Sequence, residues 1–238
     1  MSIPFIRVKE MTLKKIHIVT ADFGNPNAHD VIDIVPQDTN YIVTTKAYTD
    51  TNFKNSRELA LHPRLKGKIP KMLEWMSVDA DFYIWIDSNF KITSPLFIDE
   101  MIKAIGDYDI CLHPHNIRSS ILDEGNYIHS HIISNEDEFA HNYLIKRYKG
   151  EPIIDQVNSY IADCSFKDSN LFSLGFFIFN KRIIENKDYN VMTDWFFHNC
   201  YWTVQDQLSL PYLLHKHNIN YTTFAYNVYS NPYAPYIW

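Results

Sequence analysis

The sequence predicts an α/β protein built on a mixed, mainly parallel sheet with helices on both faces. Short runs rich in β-branched and aromatic residues, Ile16–Thr20, Tyr41–Thr45 and Phe82–Ile86, have the length and composition of buried strands. Stretches of helical periodicity lie between and after them, and that alternation covers a sheet on both sides. No internal repeat, low-complexity run or Pro/Gly/Ser linker divides the 238 residues. Residues 15–238 are therefore expected to form one domain behind a short lead-in, residues 1–14.

After the strands Ile16–Thr20 and Tyr41–Thr45, Pro70–Met76 reads as the body of a helix, with Pro70 near its first turn, where a missing N–H costs nothing. Phe82-Tyr-Ile-Trp-Ile86 is a continuous apolar run that stops at Asp87, as a central parallel strand does where it opens into a polar crevice. Ser94-Pro95 has the chemistry of a helix start, and Phe97, Met101 and Ile105 recur on one face of the helix that follows. Asp109–Leu112 is a further strand. Residues 119–163 are helical and polar, punctuated by Gly150-Glu-Pro152. Phe172–Phe179 is an aromatic strand containing Gly175, Met192–Cys200 and Val204–His217 are helices, and Tyr221–Tyr226 closes as a strand. Sheets of this kind bind ligands beyond the carboxyl ends of their strands.

Composition narrows the function. With 46% hydrophobic and 15% aromatic residues, the chain is neither disordered, collagenous nor coiled coil. A formal charge of −6 argues against a nucleic-acid or anionic-membrane binder, whose main attraction is to phosphate. No stretch approaches the roughly 20 apolar residues of a membrane span. Met1–Lys15 lacks the apolar core and cleavage site of a secretory signal, so a cytoplasmic location is expected, peripheral to the membrane where an acceptor is lipid-linked. Cys111, Cys164 and Cys200 are odd in number and not closely paired, which suggests a reducing compartment without a disulfide framework. Neither G-x-x-x-x-G-K-[ST] nor G-x-G-x-x-G occurs, so a glycine-rich phosphate cradle is excluded.

The sharpest local feature is Trp85-Ile86-Asp87-Ser88-Asn89, where a buried strand delivers a carboxylate and a side-chain amide to the sheet edge. A diphosphate leaving group concentrates negative charge, and a hard divalent cation on oxygen ligands neutralises it as the bond breaks. Asp-Ser-Asn is also simply good turn chemistry. Upstream, Arg64, Lys66, Lys68 and Lys71 could set cations beside a diphosphate or form a solvated helix face. His113 and His115, followed by Arg118, Asp123 and Glu124, supply the mixed donors and acceptors that sugar hydroxyls need. Gly175 would let the backbone approach a sugar, or mark a strand bulge.

The run from Arg64 to Asn89 resembles the core of GT-A-type glycosyltransferases, in which a basic helix precedes a strand ending in an Asp-x-Asp motif. More narrowly, Phe23-Gly-Asn25, Lys68-Ile-Pro-Lys71, Ile84-Trp-Ile-Asp87, His113-Pro114 with Glu124, and Asp206-Gln-Leu-Ser209 are similar in kind and order to a GT-A-like group long catalogued as a domain of unknown function. The resemblance runs from about His17 to His217 and implies a GT-A-like, Rossmann-like fold and a nucleoside-diphosphate sugar donor, a UDP-sugar foremost. It further implies a glycan or glycolipid acceptor, in surface polysaccharide or glycoconjugate synthesis. Thr20, Ala21, Asp22, Arg64, Lys68, Lys71, Asp87, Ser88, Gly175 and Gln207 would hold the donor; His113, His115 and Arg118 the acceptor sugar. Asp206 and Glu124 would be the catalytic carboxylates. Asp87 and Asn89 would ligate Mn2+ or Mg2+, weakened because Asn89 stands where the motif carries its last Asp.

Other readings stay open at this level. Thr203-x-x-Asp206 is close to a capping box. Three His-x-His pairs, His113/His115, His129/His131 and His215/His217, allow a His-centred metal-dependent hydrolase. Asn89 also suits a sugar- or nucleotide-binding module without catalysis. Trp195, Phe196, Phe197, Tyr201 and Trp202 are candidates for core or for an acceptor platform.

Overall fold

The apolar run at the front of the chain becomes β1 (Lys14–Asp22), and Tyr41–Thr49 pairs beside it in parallel as β2. The computed structural model describes residues 13–23, 40–53, 63–134 and 139–237. Expectations for most of the lead-in, and for Gly24 and Asn25, lie outside those residues. Next come α1 (Pro63–Leu73), β3 (Phe82–Ile86), α2 (Phe97–Ile105), β4 (Ile110–Pro114), α3 (Ile121–Ser134), α4 (Phe139–Tyr148) and α5 (Ile153–Ile161). The chain continues through β5 (Phe172–Asn180), α6 (Val191–Tyr201), α7 (Asp206–Lys216) and β6 (Tyr221–Thr223).

The strands form one sheet in the order β2-β1-β3-β5-β4-β6. β1 is parallel to β2 and β3, β4 is parallel to β6, and β5 runs antiparallel to both its neighbours. The mixed, mainly parallel, helix-flanked sheet is thus the one expected. Period-two alternation sends successive side chains to opposite faces. Tyr83, Trp85 and Phe177 pack with Met72 of α1, Trp195 of α6 and Leu210 of α7, whereas Ile84, Ile86 and Phe176 pack with Ile98 and Met101 of α2 and with Phe90 and Val228. A third cluster joins α3, α5 and α7 through Ile128, Val157, Tyr160 and Leu208, beside the carboxyl edge of the sheet.

Several boundaries differ from expectation for local reasons. Pro70 lies inside α1, in its later part, because the helix already starts at Pro63. Helix α2 starts at Phe97, since Ser94 turns the chain first: its Oγ accepts from the Leu96 N–H at 3.2 Å and its carbonyl accepts from the Phe97 N–H. The capping box forms not at Thr203/Asp206 but at α6, where the Asn190 side chain accepts from Met192 and Thr193. Gln205 is the N-cap of α7, and Asp206 is its first helical residue.

Candidate functional site

Asp87 leaves β3 at the carboxyl edge, fixed from two sides. Its backbone N–H donates to the Gly175 carbonyl at 2.7 Å, and the Trp85 indole N–H donates to its Oδ1 at 2.6 Å. Gly175 sits where β5 loses register with β4, between the Leu112–Phe177 and His113–Ser173 pairs, so the bulge reading holds. A methyl group on Gly175 would come 2.9 Å from the Phe90 ring and 3.2 Å from Asp87 Oδ2. Glycine therefore makes room for Asp87 itself. Burial pushes the Asp87 carboxyl up, with Lys71 working against it.

Across the edge, the first turn of α7 presents Asp206 to two lysines from α1. Lys68 Nζ lies 2.5 Å and Lys71 Nζ 2.7 Å from the same oxygen, Oδ2, and Lys71 also donates to the Leu174 carbonyl at 2.7 Å. Residues 68 and 71 share a helix face one turn apart, which is how one carboxylate meets both. The Lys71 ammonium is enclosed by the rings of Trp85, Phe177 and Trp195. Burial pushes Lys68 down to about 8, with Asp206 opposing that shift. Burial alone would raise Asp206, but the two ammoniums reverse it and hold the carboxyl well below the ordinary range. The helix N-terminus favours the same charged state.

Glu124, in the first turn of α3, is buried, whereas its neighbour Asp123 is exposed. Arg118 Nε pairs with Glu124 Oε2, and Gln205 Nε2 donates to Oε1 at 2.9 Å. The Gln205 amide also donates to Gln207 at 2.8 Å and accepts from the Tyr148 hydroxyl at 2.9 Å, while Gln207 donates to the Phe172 carbonyl. His115 Nδ1 accepts from the Arg118 backbone N–H at 3.0 Å, which holds the guanidinium's segment in place.

These groups line one cavity of about 630 Å3. From the donor set it gathers Ala21, Asp22, Arg64, Lys68, Lys71, Asp87, Ser88, Gly175 and Gln207, together with Asn89, His115, Arg118, Glu124 and Asp206. Two expected residues do not line it. Thr20 is buried near the end of β1. His113 is fully buried, stacked on Phe224 with ring centroids 4.2 Å apart, and its Nδ1 donates to the Tyr226 carbonyl. Burial pushes its pKa down to about 4, so it is a neutral core ring and not an acceptor contact. Lys66 turns to Asp50 at 2.8 Å. Of the late aromatics, Trp195 is core, and Phe197 and Tyr201 stack together in an exposed position away from the cavity.

Lining residues that the sequence does not single out include Arg147 and Tyr148 at the end of α4, Gln205, Tyr229 and Tyr236. Arg147-Tyr148 offers only a basic residue before Gly150, an ordinary helix-end signal. Burial and the proximity of Arg64 push the Arg147 guanidinium down to about 10.

Two oxygens placed side by side for a divalent cation are those of the Asp87 carboxylate and Asn89 Oδ1, the latter buried without a hydrogen-bond partner. Two protein oxygens suit an ion that takes its other ligands from phosphate and water, as magnesium commonly does. Among the described residues no group of three or more His, Cys, Asp or Glu is arranged to hold a metal. Of the second and third His-x-His pairs, His131 is bonded to the Tyr127 carbonyl, His215 to Ser165 and His217 to Asp194.

The model of the TOD1/MUCI70 glycosyltransferase-like domain matches residues 56–233, well over half of the chain. The chain belongs to the TOD1/MUCI70 glycosyltransferase-like domain family. The matched span takes in every cavity-lining group just described except Ala21, Asp22, Phe23 and Tyr236. No curated protein sequence matches the chain. Among solved structures, the apo form of the bifunctional glycosyltransferase WbbM is similar at TM-score 0.46 and 11% identity, over 91% of this chain and 40% of that one. Mouse xyloside xylosyltransferase 1, also apo, gives 0.41 and 9% over 88% and 85%, and a CMP:2-keto-3-deoxy-manno-octonic acid synthetase complexed with CTP gives 0.39 and 12% over 89% of each chain. The GT-A-like expectation for the fold agrees with membership of the TOD1/MUCI70 family, and the chemistry of the site is read from its own residues.

Proposed function

We propose that this chain transfers a glycosyl group from a nucleoside-diphosphate sugar, a UDP-sugar foremost, to a hydroxyl of a glycan or glycolipid. The observation that carries the reading is the pairing of Lys68 and Lys71 with Asp206 beside Asp87 and Asn89 in one cavity at the carboxyl edge of the sheet. Such an edge accepts nucleotides, and a diphosphate leaving group needs fixed positive charge where its own charge develops. Arg64, Lys68, Lys71 and Arg147 supply it in this reading. Ala21 and Asp22 receive the nucleoside, with Ser88, Gly175 and Gln207 along the donor. A bound Mn2+ or Mg2+, held by Asp87 and Asn89, would add charge stabilisation at the departing phosphate.

In the transfer, the acceptor oxygen forms a bond to the anomeric carbon and the diphosphate leaves with the bonding pair. The proton of the acceptor hydroxyl goes to a base. Asp206 is a poor base, because two ammoniums keep it ionised, so its role is to accept hydrogen bonds from sugar hydroxyls while placing Lys68 and Lys71. Glu124 is the base in this account: Arg118 pairs with its Oε2, while Oε1 meets the neutral Gln205 amide and is the oxygen that takes the proton, with His115 holding the Arg118 segment and Arg118 also facing the acceptor sugar. The setting is surface polysaccharide or glycoconjugate synthesis on the cytoplasmic side, at the membrane where the acceptor is lipid-linked. No helix among the described residues is long and apolar enough to cross a membrane. The test is release of free nucleoside diphosphate from a panel of nucleotide sugars, with and without Mn2+ and mixed glycan acceptors. Release that depends on acceptor and falls about a hundredfold or more in Glu124→Gln supports the proposal, in line with general-base contributions. Release unchanged in Glu124→Gln removes Glu124 from the base role.

A further inference from the structure

The two sides of the cavity come from opposite faces of the sheet and differ in chemistry. Helix α1, which brings Arg64, Lys68 and Lys71, packs through Met72 on one face; Phe90 and the segment carrying Val228, Tyr233 and Tyr236 pack on the other. That second side is a wall of rings. Tyr236 meets Phe90 edge-on with centroids 5.2 Å apart, and Tyr229 meets Tyr236 edge-on at 5.3 Å. Tyr229 remains 56% exposed although it lines the cavity, and its hydroxyl lies in the field of Asp87 and Arg147.

The wall is held firmly. The backbone N–H groups of Lys91 and Thr93 donate to the carbonyls of Pro235 and Tyr233, and the Ile237 N–H donates to the Asn89 carbonyl at 2.7 Å. Asn227 Oδ1 accepts from the Tyr229 N–H at 2.9 Å, and Asn231 Oδ1 accepts from those of Tyr233 and Ala234. An exposed large ring on a segment so closely tied costs little further ordering when something stacks on it.

We propose that Tyr229, backed edge-on by Tyr236, is the stacking platform of an acceptor-saccharide subsite, on which a pyranose lays its apolar C–H face. The proposal rests on the glycosyl-transfer reading. A pyranose suits this place because its hydroxyls can reach the charged groups around Asp87 while its C–H face covers the ring. The competing occupant is the nucleobase of the donor. The nucleoside end of the cavity has its own ring, Phe23, packed against Phe53 and within 5.0 Å of the Lys66 ammonium at the far end of β1.

The test is saturation-transfer NMR on the full chain with methyl β-glucopyranoside, methyl β-galactopyranoside and methyl α-mannopyranoside. It compares the native chain, Tyr229→Phe and Tyr229→Ala, with UDP binding measured separately by thermal shift. The expected result is transfer to the ring C–H protons of at least one pyranoside in the native chain and Tyr229→Phe, reduced about fivefold or more in Tyr229→Ala, with UDP affinity the same in all three. Three results overturn the proposal: no transfer to any pyranoside from the native chain, transfer undiminished in Tyr229→Ala, or a loss of UDP affinity in Tyr229→Ala in place of pyranoside binding. If UDP leaves the native chain unaffected while a pyranoside binds through Tyr229, the donor reading fails and the saccharide subsite stands.

Discussion

Lys68 Nζ lies 2.5 Å from Asp206 Oδ2, joining α1 to the first turn of α7 across 138 residues of sequence. The side chains of both are largely buried, and Lys71 shares the same oxygen. Two cations and one anion therefore face a cavity with one positive charge to spare for a ligand. Asp206→Asn leaves both ammoniums buried without their counter-charge. The expected cost is about 3–5 kcal/mol of stability, read from urea denaturation. The double variant Asp206→Asn/Lys68→Met should recover part of it, and a cost no larger than that of an exposed ion pair would show the cluster to be solvated.

Proton linkage gives a second expectation. Burial holds Lys68 near 8 in the free protein, and a bound diphosphate favours the protonated form. UDP affinity should be full below about pH 7 and decline as the pH rises through about 8, toward about tenfold per pH unit for one proton taken up on binding. Calorimetric titration between about pH 6.5 and 9.5 measures this, and Lys68→Arg should flatten the decline because guanidinium stays charged. A flat profile in the native chain would remove Lys68 from the phosphate contacts.

Gly175 has neighbours too close for a side chain. A Cβ there meets the Phe90 ring at 2.9 Å and Asp87 Oδ2 at 3.2 Å, so Gly175→Ala must displace one or both. Overpacking of this kind costs about 1–3 kcal/mol. The loss of UDP affinity should exceed what the small fall in stability explains, since Asp87 itself moves. Equal affinity in the variant would mean that Asp87 lies away from the bound nucleotide.

How far the site was legible in the sequence follows the range of its interactions. The strand Phe82–Ile86 and the polar break at Asp87 are local signals and were plain in the residue order. The link from Lys68 to Asp206 is not local; only the ordered resemblance of motifs put both residues in one set. A strand-end histidine and a core histidine look alike in sequence, and the Phe224 ring that stacks on His113 arrives 111 residues later. Tyr229 and Tyr236 follow no helical or strand period, so their place at the cavity comes from the hydrogen bonds that tie their segment to Asn89, Lys91 and Thr93 and from the Asn227 and Asn231 side chains that hold its turns. The helix expected from Val204 begins at Asp206, with Gln205 as its N-cap and the Gln205 amide turned to Glu124.

In the proposed function Asn89 is the second protein oxygen offered to a metal ion. Its Oδ1 is buried with no hydrogen-bond partner, beside a carboxylate that burial pushes up. Asn89→Asp should tighten Mn2+ binding in the presence of UDP by about tenfold or more, because a charged oxygen replaces a neutral one. Manganese electron paramagnetic resonance reads this directly. If neither the native chain nor Asn89→Asp binds Mn2+ with UDP present, the metal is no part of this site and the cationic side chains alone compensate the diphosphate.

The central claim is that this cavity binds a nucleoside diphosphate. Thermal unfolding with UDP, GDP, ADP and CMP, each with and without Mn2+ and each beside its parent nucleoside, tests it most directly, because a ligand that binds only the folded chain raises its apparent stability, by about 2.7 kcal/mol at a hundred times its Kd. At least one diphosphate should raise the Tm where its nucleoside does not, and Lys71→Met should abolish the rise. No shift with any nucleotide, in a native chain that unfolds cooperatively, would contradict the account.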